Sequence, residues 1–171
     1  MLALNMSAGV RYVSLEGYEG YDAESREHAL RTIQLGLDFC QAGDTLFIEE
    51  GTYHEGMTLK DGVTVIGEGT VILDGTNLHM RLISCEKDCN LPTRVENLIL
   101  QNARHDERGG AAWLRGNVTM KDCIIRGCSG QQCGGVLIKG DLPEASAKGA
   151  RMVDCIVHNC EATGAYWPDA G

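Results

Sequence analysis

Two groups of residues carry the types that chemistry needs. The first is the run Arg104-His105-Asp106-Glu107-Arg108, which sets guanidiniums, an imidazole and carboxylates side by side in one short stretch. The second is Gln101, Arg126 and His158, equivalent positions separated by 25 and 32 residues. Stacked as a column, they would put an amide, a guanidinium and an imidazole on one face beside a mixed-charge loop. Such a face suits a polar ligand or a proton transfer. A solvated turn is the competing reading, because a run of charged residues in a turn has no fixed geometry. All eight residues are therefore candidates for ligand contact, and none is assigned a catalytic role.

The column rests on a repeat. Val95-Glu-Asn-Leu-Ile-Leu-Gln-Asn-Ala103, Met120-Lys-Asp-Cys-Ile-Ile-Arg-Gly-Cys128 and Met152-Val-Asp-Cys-Ile-Val-His-Asn-Cys160 are one unit written three times. Gly109-Gly110-Ala111-Ala112-Trp113 and Gly134-Gly135-Val136-Leu137-Ile138 repeat the 25-residue offset. The longer offset follows from a polar seven-residue insertion, Leu142 to Lys148. Short apolar runs, recurrent glycines and a tolerated insertion mark a solenoid. The runs are rich in Val and Ile and bounded by Gly, Asn and Asp, which reads as strand. Coils of ~25 residues have room for about three short strands and their turns. In register, each strand pairs in parallel with its successor. Leu98, Cys123 and Cys155 then share one stack, Ile99, Ile124 and Ile156 the next column. Asn102, Gly127 and Asn159 take a corner where the left-handed conformation is tolerated.

Upstream, Ala42-Gly-Asp-Thr-Leu-Phe-Ile-Glu-Glu-Gly-Thr-Tyr-His-Glu55, Val63-Thr-Val-Ile-Gly67 and Val71-Ile-Leu-Asp-Gly75 resemble the opening coils of the right-handed parallel β-helix of the pectin-lyase-like superfamily. The repeat is similar to the carbohydrate-binding and sugar-hydrolase type that also occurs in F-box substrate-recognition proteins. The resemblance spans roughly residues 24 to 165. It implies an all-β fold, a right-handed parallel β-helix solenoid. It does not imply one activity, since that superfamily holds lyases, esterases, epimerases, adhesins and binding modules. Polyuronate-processing members use a face like the Gln101, Arg126, His158 column. Their acidic side chains hold calcium or act as acid and base, and an Arg or Lys eases proton abstraction beside a carboxylate. No aspartate cluster like a pectate-lyase calcium site is visible here, nor the paired aspartates of pectin methylesterases. The family's catalytic residues are not carried over. Asp74, at a Leu-Asp-Gly corner, reads as structural.

The organisation expected is a leader over 1–22, a β-helix domain over 23–165 and a short tail over 166–171. Within the domain, residues 24–41 read as an N-terminal capping α-helix, with Asp22 or Ser25 at its start and Gly43 past its end. Ala29, Leu30, Ile33, Leu37 and Cys40 make its apolar face. Strands are expected at 45–48, 57–59, 63–66, 71–73 and 82–84, then a polar loop at 86–93. Trp113, aligned with Ile138, should be interior, and Trp167 should lie over the last coil. The repeat is still strong where the sequence stops. The end of the solenoid is thus expected to be unfinished, by truncation or for end-to-end self-association.

The bulk properties narrow the partners. The chain has 171 residues, 43% hydrophobic content, 22 glycines without a three-residue period and a net charge of −9. That charge argues against a nucleic-acid backbone as partner. No run approaches the ~20 apolar residues of a membrane span. No basic-then-apolar start is seen, and the eight cysteines fit stacked packing better than disulfides or zinc. Together these favour a cytoplasmic location. The function expected is a non-catalytic β-helix module that binds a glycan or a protein and carries no cofactor. The alternatives are a lyase or epimerase acting on acidic polysaccharide, with calcium entering only there, and a structural or adhesin segment of a longer solenoid.

Overall fold

The computed structural model describes residues 8–85, 87–106, 109–139 and 149–164. Apart from one short helix, its regular structure is strand, and every ladder is parallel. The first sheet stacks β1 (Val10–Val13), β2 (Thr45–Ile48), β5 (Thr64–Gly67), β8 (Cys89–Glu96), β11 (Ala112–Lys121) and β15 (Arg151–Val153) in that order. The second stacks β3 (Gly51–Tyr53), β6 (Val71–Asp74), β9 (Ile99–Gln101), β12 (Ile124–Arg126) and β16 (Ile156–His158). A third holds β4 (Met57–Thr58), β7 (Ile83–Ser84), the first residues of β11 and β14 (Val136–Lys139). A short ladder joins β10 (Arg104–His105), β13 (Ser129–Gly130) and β17 (Glu161–Ala162). The chain visits the sheets in rotation and returns one rung further on. The architecture is solenoid-like.

Across the units beginning at 95, 120 and 152 the register follows the sequence offsets to the residue. Val95 pairs with Met120 and Met120 with Met152; Ile99 pairs with Ile124 and Ile124 with Ile156. Strand alternation sends every second side chain inward. Leu46, Val65, Val95 and Met120 form one fully buried stack, and Leu73, Leu100 and Ile125 another. Each such side chain contributes about 1.5–3 kcal/mol on burial. Val157 continues the second stack but is 48% exposed, because β16 pairs on one side only among the described residues. Leu98 and Cys123 are buried as expected, while Cys155 on the last rung is only half-buried.

The corners explain the polar residues of the repeat. Asn102, Gly127 and Asn159 all have positive φ, at 57°, 61° and 54°. A second corner does the same with Asn97, Asp122 and Asp154, at 57°, 51° and 51°. Asn and Asp tolerate this conformation better than other residues with a Cβ. All eight thiols are free, and five of them are buried. Burial pushes the Cys40 and Cys128 thiols up to about 11 and Cys123 up to about 12.

Several expectations are corrected. The helix, α1, runs only from Ile33 to Phe39. Thr32 caps it, its Oγ1 accepting from Leu35 N at 3.4 Å. Asp22 and Ser25 instead close turns on Glu24 and His28. Leu30 bridges to Val13, accepting from Ser14 N at 2.9 Å, so the apolar face was read correctly over a stretch that is only partly helical. The helix packs on β1, β2 and β4, at the first rungs. Gln34 Oε1 accepts from Thr58 N at 2.8 Å, and Lys60 Nζ donates to Asp38 O at 3.0 Å. Val10–Val13, within the expected leader, is a full rung of the first sheet. Residues 89–93 belong to β8 and are not a loop. Pro92 fits there because between Cys89 and Thr93 the ladder to β11 shifts register and needs no amide. Trp113 pairs with Leu137, one residue off the expected Ile138. It is half-buried on the outer side of its strand, with the guanidiniums of Arg81 and Arg115 over its ring at 5.0 and 5.2 Å.

Candidate functional site

The expected column exists. Gln101 stands opposite Arg126, and Arg126 opposite His158, on the outer face of the second sheet. The register extends it one rung further, because Asp74 stands opposite Gln101. Alternation sets the orientation: Leu73, Leu100 and Ile125 point in, so their successors point out.

Hydrogen bonds tie three rungs into a chain. Arg126 donates from Nε and Nη2 to Gln101 Oε1 at 3.0 and 2.6 Å. Gln101 Nε2 donates to Asp74 Oδ2 at 2.9 Å. The other carboxylate oxygen of Asp74 accepts from Thr76 N at 2.9 Å, Thr76 Oγ1 at 2.6 Å and Asn102 Nδ2 at 3.2 Å. Partial burial pushes the Asp74 carboxyl up, but hydrogen bonds from Thr76, Gln101 and Asn102 outweigh it and hold the group well below the ordinary carboxylate range. The carboxylate fixes the amide of Gln101, and the amide fixes the guanidinium of Arg126. Asp74 was read as structural; the geometry makes it the anchor of the column. Its Leu-Asp-Gly corner carried the signal, but the offset to Gln101 falls outside the clear repeats.

Around the corner from this column lies an open cleft of about 470 Å³. Thr76, Asn77 and His79 line it from the loop after β6, and Asn102, Arg104 and Ser129 from the next two coils. Asn77 and His79 hold positive φ, at 63° and 50°. Asn102 joins the two features, since it lines the cleft and donates to Asp74. His79 and Asn77 were not foreseen, because their loop carries no repeat.

The charged run divides. Arg104 and His105 are not loop residues but form β10, paired with Ser129 and Gly130. Arg104 is exposed and reaches the cleft; His105 is half-buried; Asp106 is exposed beyond the strand. Glu107 and Arg108, like Trp167, lie outside the described residues. His158 is exposed on the last rung. Among the described residues no three of His, Cys, Asp and Glu converge on a possible metal position. No helix of these residues is long and apolar enough to cross a membrane.

Comparison with known proteins finds no family model that matches the chain, and no significant match among curated proteins or solved structures.

Proposed function

We propose that the chain is a right-handed parallel β-helix of the pectin-lyase-like kind that serves as a non-catalytic binding module for a hydroxyl-rich ligand, a glycan. One observation carries the reading: the locked polar chain Asp74–Gln101–Arg126 runs up the outer face of the second sheet and meets, through Asn102, a cleft lined by hydroxyls, amides, an imidazole and a guanidinium. Parallel rungs ~4.8 Å apart offer regularly spaced donors to an extended polymer. A protein-docking patch would favour a core of aromatic and aliphatic side chains, and this lining has few. Preorganised donors lose little rotamer freedom on binding. Crossovers between parallel strands in one sheet are right-handed in about 98% of cases, which supports the handedness.

A glycan panel titrated by calorimetry tests it. Binding that falls at least tenfold in Arg104→Ala and in Arg126→Ala, with unchanged melting temperature, is the expected result. Binding that survives both substitutions, or no binding across neutral and acidic glycans, would overturn it. The register of Arg126 with His158 favours a second reading, elimination or epimerisation on an acidic polysaccharide. Growth of the unsaturated-uronate absorbance in the same mixtures, with or without added calcium, would replace the first reading with the second.

A further inference from the structure

The loop between β1 and α1, residues 14–32, carries a cluster of rings that the core does not use. Tyr18 is 64% exposed and Tyr21 40%, with Leu15, earlier in the same loop, also at 40%. Tyr18 and Tyr21 meet edge to face, their ring centroids 5.4 Å apart. The His28 imidazole lies 4.9 Å from the Tyr21 ring, and Asp22 Oδ1 stands 3.7 Å from His28 Nδ1. Aromatic rings left in water as a group mark an interface, where Tyr is enriched.

These rings sit on a fixed frame. Tyr12 N donates to Ala23 O at 3.0 Å, Leu30 N to Tyr12 O at 3.0 Å and Ser14 N to Leu30 O at 2.9 Å. The loop thus takes the side of β1 that faces away from β2. Within it, Tyr18 N donates to Ala29 O, Tyr21 N to Tyr18 O and Ala23 N to His28 O. Gly17 is pressed so close that a Cβ would stand 2.4 Å from Leu30 O, and a Cβ on Gly20 would meet Tyr18 Cε1 at 2.5 Å. A ring pair set in advance loses little freedom on binding.

The charge around the rings is of one sign. Residues 14–28 hold Glu16, Glu19, Asp22, Glu24 and Glu27 against one guanidinium, Arg26. Arg26 is committed elsewhere, over the Tyr12 ring at 4.9 Å and donating to the carboxylates of Glu49 and Glu68. Glu24 faces Arg11 at 3.6 Å, whereas Glu16 and Glu19 form no ion pair among the described residues. Arg26 shows in miniature what such a surface accepts: a guanidinium held by a tyrosine face and carboxylates.

We propose that this loop docks a basic segment of a partner protein, rich in arginine and lysine. Its cationic heads lie over the Tyr18 and Tyr21 rings, with Glu16, Glu19 and Asp22 as counter-charges. A second copy of the chain, at net charge −9, is a poor source of that charge. The surface shares no residue with the cleft of Asn77, His79 and Arg104.

The test titrates the full chain into labelled oligo-arginine and oligo-lysine peptides with glycine spacers, read by fluorescence anisotropy at physiological ionic strength. Saturable binding is expected. The variant Tyr18→Ala/Tyr21→Ala keeps every charge, so binding about tenfold weaker separates ring contact from general attraction to an acidic chain. Tyr18→Phe/Tyr21→Phe keeps both rings and should bind like the parent. Glu19→Lys, at an exposed position, should also bind about tenfold more weakly with an unchanged melting temperature, and it decides the matter if the alanine variant does not fold. No peptide binding, or binding that the folded alanine variant leaves unchanged, would overturn the proposal. So would neutral oligosaccharides binding in place of the peptides with the same dependence on the rings, since the loop would then be a sugar platform.

Discussion

At the scale of single residues, Asp74 decides how rigid the candidate face is. Its carboxylate accepts four hydrogen bonds, and its proton affinity is depressed below the ordinary value near 3.9. A depressed acid binds protons less in the native state than in the unfolded one. It therefore adds stability above its unfolded value, and that stability is lost as pH falls from there toward the folded value. Urea midpoints of the parent should drop as pH goes from about 5 to 2, and Asp74→Asn should flatten part of that slope. At neutral pH the substitution should cost on the order of 1–2 kcal/mol, from weakened bonds to a group that remains partly solvated. Parallel pH curves for parent and variant would show that Asp74 is not the anchor. The same scale shows what could be read in advance. Gln101, Arg126 and His158 were legible because they repeat. Asn97, Asp122 and Asp154 repeat equally well and are the second left-handed corner. His79 and Cys89 lie in unrepeated stretches, where only folding reveals their neighbours.

At the scale of elements, short strands were easier to find than their partners in the turns. Thr45–Ile48 and Val71–Asp74 alternate and are bounded by glycines, so they announce themselves. Gly51–Tyr53 hides, because a glycine opens it and its ladder with β6 supplies what local propensity does not. The helix was overread for the opposite reason. Residues 29 to 40 carry apolar side chains at helical spacing, yet Leu30 bonds to β1 while the helix starts only after Thr32. Gly36 then fixes how close α1 can lie. A Cβ there would stand 2.5 Å from Val13 Cγ2 and 2.9 Å from Leu46 Cδ1. Gly36→Leu should lift the helix from the first rungs and cost about 1–3 kcal/mol, beyond any gain in helix propensity. Denaturant melts of this variant against Gly43→Ala, a strained but open position, separate crowding from backbone strain. Equal stability of Gly36→Leu and parent would mean that α1 does not press on β1 and β2.

At the scale of the whole molecule, the two ends of the stack differ. Helix α1 lies on the first rungs, whereas the outer sides of β15, β16 and β17 have no strand partner among the described residues. Ile156 and Val157 on that last rung are 58% and 48% exposed. A strand with an unpaired outer side and exposed apolar residues templates further pairing. We propose that a second copy supplies it, end against end. Antiparallel pairing of β16 (Ile156–His158) with itself would bring the exposed Ile156 and Val157 of the two copies together under one covered edge. Two-fold symmetry makes each contact across that edge twice. On this proposal the assembly closes as a dimer, because α1 packs on β1, β2 and β4 at the other end of the stack. Sedimentation over a range of concentrations should show a reversible monomer–dimer equilibrium. Ile156→Lys should shift it to monomer while moving the dilute urea midpoint by no more than about 0.5 kcal/mol in stability, as for a surface change. Monomer at every concentration would reject the pairing. Mass that keeps growing with concentration would reject closure, and would mean that the helix end also accepts a partner.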